Sequence, residues 1–287
     1  MPTESAALRL CRWTRADYES TDLPAMPGVV VVEEPAEAEV VVVPSTRRVV
    51  PADVPQARLV ITTTSGFDNL DVPALRSRGI RCARLPLARR DAVVHTTVAM
   101  ALSLARRLGD FRRVAHAGTW DRKHLDRYDA RLVGRVGVVG LGVIGTEVAA
   151  VFRALGSEVI EVRRGDSVPL DVDVLTLHCS LNRENAGLVG VEALASLRPG
   201  AIVVNTARGR LLDADAAMAS LRAGHLGGLG VDVFPEEPTD LSRFTHDRCI
   251  VTPHAAGWHP GLGQAIADGV ELAVGALIRG EPVPWAI

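Results

Sequence analysis

Short runs of β-branched residues alternate with stretches of helical pattern along most of the chain. In the first third, the strand-like runs end in turn residues and cover Val29–Glu33, Val40–Val43, Leu59–Thr62 and Ile80–Cys82. A short helix is predicted to run from Asp71, its N-cap, to Ser77, with Pro73 in its first turn. Because strands and helices alternate, we predict a mostly parallel sheet and therefore an α/β fold.

A second alternation follows a longer helical pattern, Ala92–Leu108, which contains no Gly or Pro. The polar stretch Gly109–Leu132 is predicted to be irregular. Further strands are predicted at Arg135–Val139, Glu158–Val162, Val174–His178, Ala201–Val204, Leu229–Val233 and Cys249–Thr252. The accompanying helices are predicted at Thr146–Leu155, Asp213–Ala223 and Gly261–Arg279. The last of these is long enough to return to the first α/β unit.

The amino-acid composition is typical of a globular protein. Of the 287 residues, 47% are hydrophobic and 23% charged, and the formal net charge is −2. This charge gives no reason to expect nucleic-acid or membrane-surface binding. The longest aliphatic runs are far shorter than the roughly 18 residues of a membrane helix. Since the first residues lack a basic start and an apolar stretch, we expect no secretory signal and a cytoplasmic location.

The cysteines do not suggest a metal centre. Cys11, Cys82, Cys179 and Cys249 are far apart, and no CxxC pair exists. The spacing therefore predicts neither a zinc site nor a redox motif, and we expect free thiols.

The segment Gly140–Gly145 reads Gly-Leu-Gly-Val-Ile-Gly, a GxGxxG pattern between a predicted strand and a predicted helix. The whole strand–helix–strand unit is about 30 residues long, as in dinucleotide-binding domains. Gly140 permits a tight turn, Gly142 lets the backbone approach a pyrophosphate, and Gly145 allows close helix packing. The N-terminus of the helix that follows would face the phosphates, and Val143 and Ile144 of the loop are candidate cofactor-binding residues. We therefore predict a Rossmann dinucleotide-binding domain.

The end of the second strand of this domain predicts the cofactor. NAD enzymes usually place an acidic residue there, on the ribose 2′-hydroxyl. Here Arg163 and Arg164 follow the strand, and guanidinium groups pair bidentately with phosphate. We predict NADP(H) as the preferred cofactor and NAD(H) as the alternative. In that alternative, both arginines are solvated and Asp166 or Glu161 contacts the ribose.

Three polar side chains, Arg208, Glu237 and His254, follow successive predicted strands of the second alternation. In open α/β sheets, ligands bind outside the carboxyl ends of the strands. An arginine can hold a carboxylate and polarise a ketone, and a histidine can protonate the new alkoxide. A carboxylate fixes the histidine tautomer, and a nicotinamide supplies hydride. Each residue alone could be a surface charge or a packing residue, but together they predict reduction of a 2-oxo acid.

Four motifs occur in the order found in one known family. They are the Gly140–Gly145 loop, Asn-Thr-Ala-Arg-Gly at 205–209, Val-Asp-Val-Phe-Pro-Glu-Glu-Pro at 231–238, and Thr-Pro-His-Ala-Ala-Gly at 252–257. The chain resembles the D-isomer-specific 2-hydroxyacid dehydrogenases, which include glyoxylate/hydroxypyruvate reductases and phosphoglycerate dehydrogenases. The resemblance implies a homodimer and a smaller flavodoxin-like substrate domain, here residues 1–88 and 260–287. Residues 89–259 would form the dinucleotide-binding domain.

The resemblance also implies roles for individual residues. Arg208 would bind the substrate carboxylate and carbonyl, His254 would be the general acid/base, and Glu237 its partner. In the first domain, the amides of Ser65 and Gly66 would hold the substrate carboxylate. The cofactor would contact further residues at strand ends, with Asp232 near the nicotinamide carboxamide: Cys179, Ser180, Thr206, Ala207, Asp232 and Gly257.

Several positions depart from the family pattern. Ser180-Leu181-Asn182 stands where Pro-Leu-Thr is usual, which would alter contacts around the cofactor. His95 stands in a Val-Val-His-Thr segment in place of Val-Ala-Glu-His, as a packing or hinge substitution or as a group in the cleft. Trp258 would either wall the pocket or pack.

Arg47 resembles an arginine of phosphoglycerate dehydrogenases that meets the substrate's distal phosphate. It follows the strand Val40–Val43, so we hypothesise that it recognises a second anionic group on the substrate. The alternative is a solvated loop arginine.

The expected activity is reversible NAD(P)H-dependent reduction of a small 2-oxo acid to the D-2-hydroxy acid. Two alternatives stay open. One is oxidation of an inorganic or one-carbon anion, as in the similar phosphite and formate dehydrogenases. The other is a dinucleotide-sensing corepressor-like binding protein, since such relatives keep the same three polar side chains.

Overall fold

The computed structural model describes residues 7–13, 25–120, 122 and 130–287. The chain divides into two compact units, Met1–Arg90 with Trp258–Ile287, and Asp91–Gly257. Each unit is built on a parallel sheet, which confirms the predicted α/β class. Within the described ranges, no helix has both the length and the apolar character needed to cross a membrane.

The first unit contains a five-stranded sheet in the order β2-β1-β3-β4-β5. This is the strand order of flavodoxin-like folds, as predicted for the smaller domain. The strands are Leu8–Arg12 (β1), Val29–Val32 (β2), Val40–Val43 (β3), Leu59–Thr62 (β4) and Arg81–Arg84 (β5). The helices of this unit are Val72–Ser77 (α1) and Leu262–Arg279 (α7).

Helices α1 and α7 cover opposite faces of the first sheet. On one face, Ile266 and Val270 of α7 pack with Val40 and Ile61, so the C-terminal helix completes this core as predicted. On the other face, Leu75 of α1 packs with alternate residues of the same strands. The Asp71 side chain accepts a hydrogen bond from the Ala74 amide, which is the predicted N-cap of α1.

The second unit contains a six-stranded sheet in the order β11-β10-β9-β8-β6-β7. Its strands are Arg135–Val139 (β6), Glu158–Val162 (β7), Val174–Leu177 (β8), Ile202–Asn205 (β9), Gly228–Val231 (β10) and Cys249–Val251 (β11). Its helices are Arg90–Ala105 (α2), Leu108–His116 (α3), Val143–Ala154 (α4), Val191–Ser196 (α5) and Ala214–Arg222 (α6). The α2 helix begins at the boundary with the first unit.

Helices cover both faces of the second sheet. Met100 of α2 and Phe152 of α4 pack with Val138 on one face. Leu194 of α5 and Leu221 of α6 belong to the core of the other face. The chain passes from β6 out to β7 and then returns to β8 on the other side of β6. This reversal is a topological switch point, which is where open α/β sheets bind their ligands.

The prediction of an irregular stretch after the long helix was partly wrong. The long helix ends at Ala105, and α3 then covers the beginning of that stretch. No residue of α3 is buried, but Leu108, Phe111 and Ala115 follow a helical spacing that the prediction overlooked among the surrounding polar residues. Ion pairs from Asp110 to Arg107 and Arg113, at 3.0 and 2.6 Å, stabilise the helix. Residues 121 and 123–129 of this stretch lie outside the described ranges.

Candidate active site

The glycine loop lies at the carboxyl end of β6, beside a cavity of about 750 Å³. Gly140 has a left-handed φ of +94°, which only glycine adopts readily. A Cβ on Gly145 would lie 1.9 Å from the Gly140 carbonyl oxygen, so α4 can pack this closely only with glycine there. A Cβ on Gly142 would meet no atom within 4 Å and would fill open space at the α4 N-terminus. The loop therefore fits the close approach of a pyrophosphate.

The predicted cofactor residues divide into two groups. One group lines the cavity: Gly140, Gly142, Arg163, Arg164, Cys179 and Ser180. The other does not line it: Val143, Ile144 and Gly145 begin α4, whereas Thr206, Ala207, Asp232 and Gly257 follow β9, β10 and β11. All of them belong to the second unit.

The inner wall of the cavity is formed by the end of β8. Burial lowers the pKa of His178 to about 3, so this imidazole is neutral. Its Nε2 is 2.9 Å from the Thr176 hydroxyl. Burial also raises the pKa of the neighbouring Cys179 thiol. The wall is thus uncharged at neutral pH, and the charges of the cavity lie elsewhere.

The loop after β9 carries Arg208. The buried Asn205 side chain accepts a hydrogen bond from the Ala207 amide (3.1 Å) and donates one to the Arg208 carbonyl (2.9 Å). Thr206 is buried, and its hydroxyl pairs with that of Thr97 on α2 at 2.8 Å. A Cβ on Gly209 would lie 1.9 Å from the Phe234 carbonyl carbon. This glycine lets the Arg208 loop pack directly on the loop after β10.

The loop after β10 carries Glu237, whose Oε2 is 2.6 Å from Nδ1 of His254. The other oxygen of Glu237 accepts the Phe234 amide at 2.8 Å. Burial is the largest influence and opposes ionisation of Glu237. However, these two hydrogen bonds and the charges of His254 and Arg208 together lower its pKa. An ionised Glu237 accepts a hydrogen bond from the Nδ1–H group of His254, which leaves Nε2 of His254 available for proton transfer.

His254 adopts a left-handed φ of +55°, which is unusual for a non-glycine residue and common at functional sites. The buried Asp232 holds this conformation. One of its oxygens accepts hydrogen bonds from the Thr252 hydroxyl (2.6 Å) and from the Ala255 (2.7 Å) and Ala256 (3.0 Å) amides. Its carbonyl accepts the His254 amide at 2.8 Å. Asp232 therefore organises the loop that presents His254.

The predicted substrate residues Arg47, Ser65 and Gly66 lie in the first unit, after the adjacent strands β3 and β4. The Asn69 side chain joins their two loops, because it donates to the carbonyls of Pro44 and Arg47. The Arg47 guanidinium lies 4.3 Å from the centre of the Trp13 ring, so Arg47 is a stacked, half-buried residue.

Sequence reasoning missed several side chains that shape these loops. Asn205 and Thr252 belong to the quoted motifs, but no role was predicted for them. Their hydrogen bonds depend on loop geometry, which the spacing of residues in the sequence does not show. Arg84 ends β5, donates a hydrogen bond to the Ser65 carbonyl at 2.9 Å, and lies 5.8 Å from the Phe67 ring centre. Its position two residues after the predicted strand Ile80–Cys82 was the available signal.

The doubly wound sheet, the glycine loop and the cavity at the switch point define a protein of the Rossmann class. Comparison with known families is consistent with this, since residues 98–256 match the model described as D-isomer specific 2-hydroxyacid dehydrogenase, NAD binding domain. The chain belongs to the family of D-isomer-specific 2-hydroxyacid dehydrogenases. The resemblance predicted from the four motifs is thereby confirmed.

The relatives include proteins with different named substrates. D-3-phosphoglycerate dehydrogenase of Mycobacterium leprae is 33% identical over 82% of this chain and 48% of its own length. Glyoxylate reductase of Thermofilum pendens is 29% identical over 80% of this chain and 74% of its own. The TT0316 protein of Thermus thermophilus is 26% identical, covers 98% and 100% of the two chains, and superimposes with a TM-score of 0.79. The chain spans about half the length of its phosphoglycerate dehydrogenase relatives.

Proposed function

We propose that the protein reversibly reduces a small 2-oxo acid to the D-2-hydroxy acid, using a nicotinamide dinucleotide. The observation that carries the proposal is the contact between His254 and the ionised Glu237, with the charge of Arg208 acting on the same carboxylate. This group follows three strands of the unit that also holds the dinucleotide cavity. A glyoxylate reductase and phosphoglycerate dehydrogenases among the relatives support this reaction class.

The proposed mechanism assigns each group a role in binding the substrate or in moving a hydride or a proton. The bound nicotinamide supplies the hydride to the carbonyl carbon. Arg208 binds the substrate carboxylate and polarises the carbonyl. His254 donates the proton from Nε2 to the carbonyl oxygen as the hydroxyl forms, and Glu237 stabilises the imidazolium before that transfer. In the first unit, the amides of Ser65 and Gly66 hold the substrate carboxylate.

We further propose NADP(H) as the preferred cofactor. Gly140, Gly142 and Gly145 would admit the pyrophosphate, and Val143 and Ile144 would present their amides to it. Arg163 and Arg164 line the cavity after β7, where the 2′-phosphate of NADP(H) would lie. The nicotinamide end would contact Thr206, Ala207, Asp232 and Gly257, and Cys179 and Ser180 would contact the middle of the cofactor.

The activity is tested by following NADPH and NADH oxidation with a panel of 2-oxo acids. We expect turnover of at least one of glyoxylate, hydroxypyruvate, pyruvate, an aryl 2-oxo acid and phosphonopyruvate, with a higher kcat/KM for NADPH than for NADH. No turnover of any substrate, together with intact dinucleotide binding, would contradict the reductase proposal. It would point to oxidation of a small anion or to a dinucleotide sensor.

Arg47 is proposed to recognise a second anionic group on the substrate. Arg47→Ala is expected to raise KM about tenfold for phosphonopyruvate or another dianionic substrate, because one charge-assisted contact is lost. The KM for glyoxylate, which has a single charge, should stay near the wild-type value. The exposed neighbour Arg48 provides the matched control, as Arg48→Ala should leave both values unchanged. Equal effects of Arg47→Ala on both substrates would show that it has only a structural role.

A further inference from the structure

An ion pair joins the two loops that flank the glycine loop. Arg164 follows β7 and Glu184 lies in the loop after β8, and both side chains line the cavity of about 750 Å³. Since β7 and β8 are the two neighbours of β6, the pair spans the carboxyl end of β6. The Arg164 Nη2 atom lies 2.6 Å from Glu184 Oε2, with 79% and 75% of the two side chains exposed. The pair therefore lies at the mouth of the cavity.

The loop that carries Glu184 is fixed by its own side chains. The Asn182 carboxamide oxygen accepts the Glu184 amide at 2.8 Å, and the Asn185 carboxamide oxygen accepts the Asn182 amide at 2.7 Å. Asn185 also donates to the Ser180 carbonyl at 2.8 Å. These hydrogen bonds fix the backbone from Ser180 to Asn185. The Cα atom of Glu184 is therefore held beside the cavity.

The turn that carries Arg164 is fixed as well. The Asp166 carboxylate accepts the Arg163 amide at 2.8 Å, and the Asp166 amide donates to the Arg163 carbonyl at 3.1 Å. The Arg163 guanidinium pairs at 3.1 Å with Glu161, which also binds Arg153 at 2.6 Å. Glu161, the counter-ion of Arg163, is thus shared with Arg153 and lies on β7, the strand that Arg163 follows. The counter-ion of Arg164 comes from across the cavity.

We propose that Glu184 is a cofactor-selectivity residue that competes with the 2′-phosphate of NADP(H) for Arg164. The inference rests on the proposed binding of NAD(P)(H) in this cavity. A carboxylate within hydrogen-bond distance of the guanidinium occupies positions that phosphate oxygens need. Its negative charge also repels the phosphate, which carries close to two charges at neutral pH. NAD(H) has a hydroxyl at that place and leaves the ion pair intact, so Glu184 lowers the phosphate preference that the arginines create.

The test measures Kd for NADPH and for NADH by titration of the full chain, without substrate, in the wild type and in Glu184→Gln. An exposed ion pair contributes little to stability, so the variant should keep the wild-type Tm. We expect Glu184→Gln to bind NADPH about two- to fivefold more tightly and to leave the Kd for NADH unchanged. The gain should shrink at high salt, where exposed charges are screened. No change for NADPH, or an equal gain for both cofactors, would overturn the inference.

Two further variants isolate the competition. Glu192→Gln removes an exposed carboxylate on α5, outside the cavity lining, and should change neither Kd. In an Arg164→Ala background, Glu184→Gln should tighten NADPH by much less than in the wild type, since the group under competition is gone and only the repulsion between Glu184 and the phosphate is relieved. An undiminished gain there would show that Glu184 acts by general repulsion and not through Arg164.

Different measurements test the proposed preference for NADP(H) and the proposed competition by Glu184. The ratio of the wild-type Kd values tests the preference for NADP(H), and a wild type that binds NADH more tightly contradicts that preference. The effect of Glu184→Gln on NADPH alone tests the competition, whichever cofactor the wild type prefers.

Discussion

Replacement of His254 by glutamine is expected to lower kcat by about 10²–10⁴-fold, the range of a lost general acid. Glutamine keeps a polar side chain of similar reach, but it cannot donate and regain a proton near neutral pH. The contact of His254 Nδ1 with Glu237, at 2.6 Å, fixes the tautomer whose Nε2 faces away from the carboxylate. Steady-state kinetics with the best substrate of the panel measures the effect.

The same variant should bind the dinucleotide almost as well as the wild type, because His254 does not line the cavity beside the glycine loop. His116→Gln is a suitable control, since His116 is exposed at the end of α3 and should have no effect on kcat. A variant at His254 that kept its kcat but lost its affinity for the dinucleotide would reverse the proposed assignment.

Gly145→Ala is expected to cost about 3 kcal/mol of unfolding free energy, because its Cβ would lie 1.9 Å from the Gly140 carbonyl oxygen. Neither partner can move aside, since both belong to the backbone of the β6–α4 connection. For a chain of this size, Tm should fall by about 5 °C. Dinucleotide binding should be lost with it. Calorimetry and dinucleotide titration measure the two effects.

Gly142→Ala separates cofactor binding from stability. Its φ is −79°, and a Cβ there would meet no protein atom within 4 Å. Tm should therefore fall by only a few degrees, about the cost of alanine at a helix N-cap. The methyl group would occupy space needed by the pyrophosphate, so the affinity for dinucleotide should fall about tenfold or more. Unchanged affinity in a stable Gly142→Ala protein would contradict the proposed pyrophosphate site.

The sequence predicted those elements whose pattern is set by burial. The strands β3, β4 and β8 are buried along their whole length, so each appears as an unbroken apolar or β-branched run. Strand β1 was missed because Arg9 and Arg12 interrupt its apolar residues, although Leu10 and Cys11 are fully buried. The predicted strand Ile80–Cys82 was placed too early, since β5 is Arg81–Arg84.

The sequence predicted the positions of those site residues that directly follow strands. It did not predict the contacts between side chains of different loops. Arg208, Glu237 and His254 all follow parallel strands, so the direction of the strands alone predicts that they lie at the carboxyl edge of the sheet. The pairing of Arg164 with Glu184 depends instead on side-chain hydrogen bonds within two separate turns. No periodicity or spacing reports such contacts, because they join positions that are distant in sequence.

The close packing of Gly209 on Phe234 has a consequence for engineering new substrate specificity. The loops that carry Arg208 and Glu237 share this contact, so a side chain added at Gly209 would push against the backbone of Phe234. The Phe234 amide is also a hydrogen-bond donor to Glu237, and a shift there would reach His254. Libraries for new substrate specificity should therefore keep Gly209 fixed, because no side-chain substitution at residues 234–236 removes a contact with the Phe234 backbone.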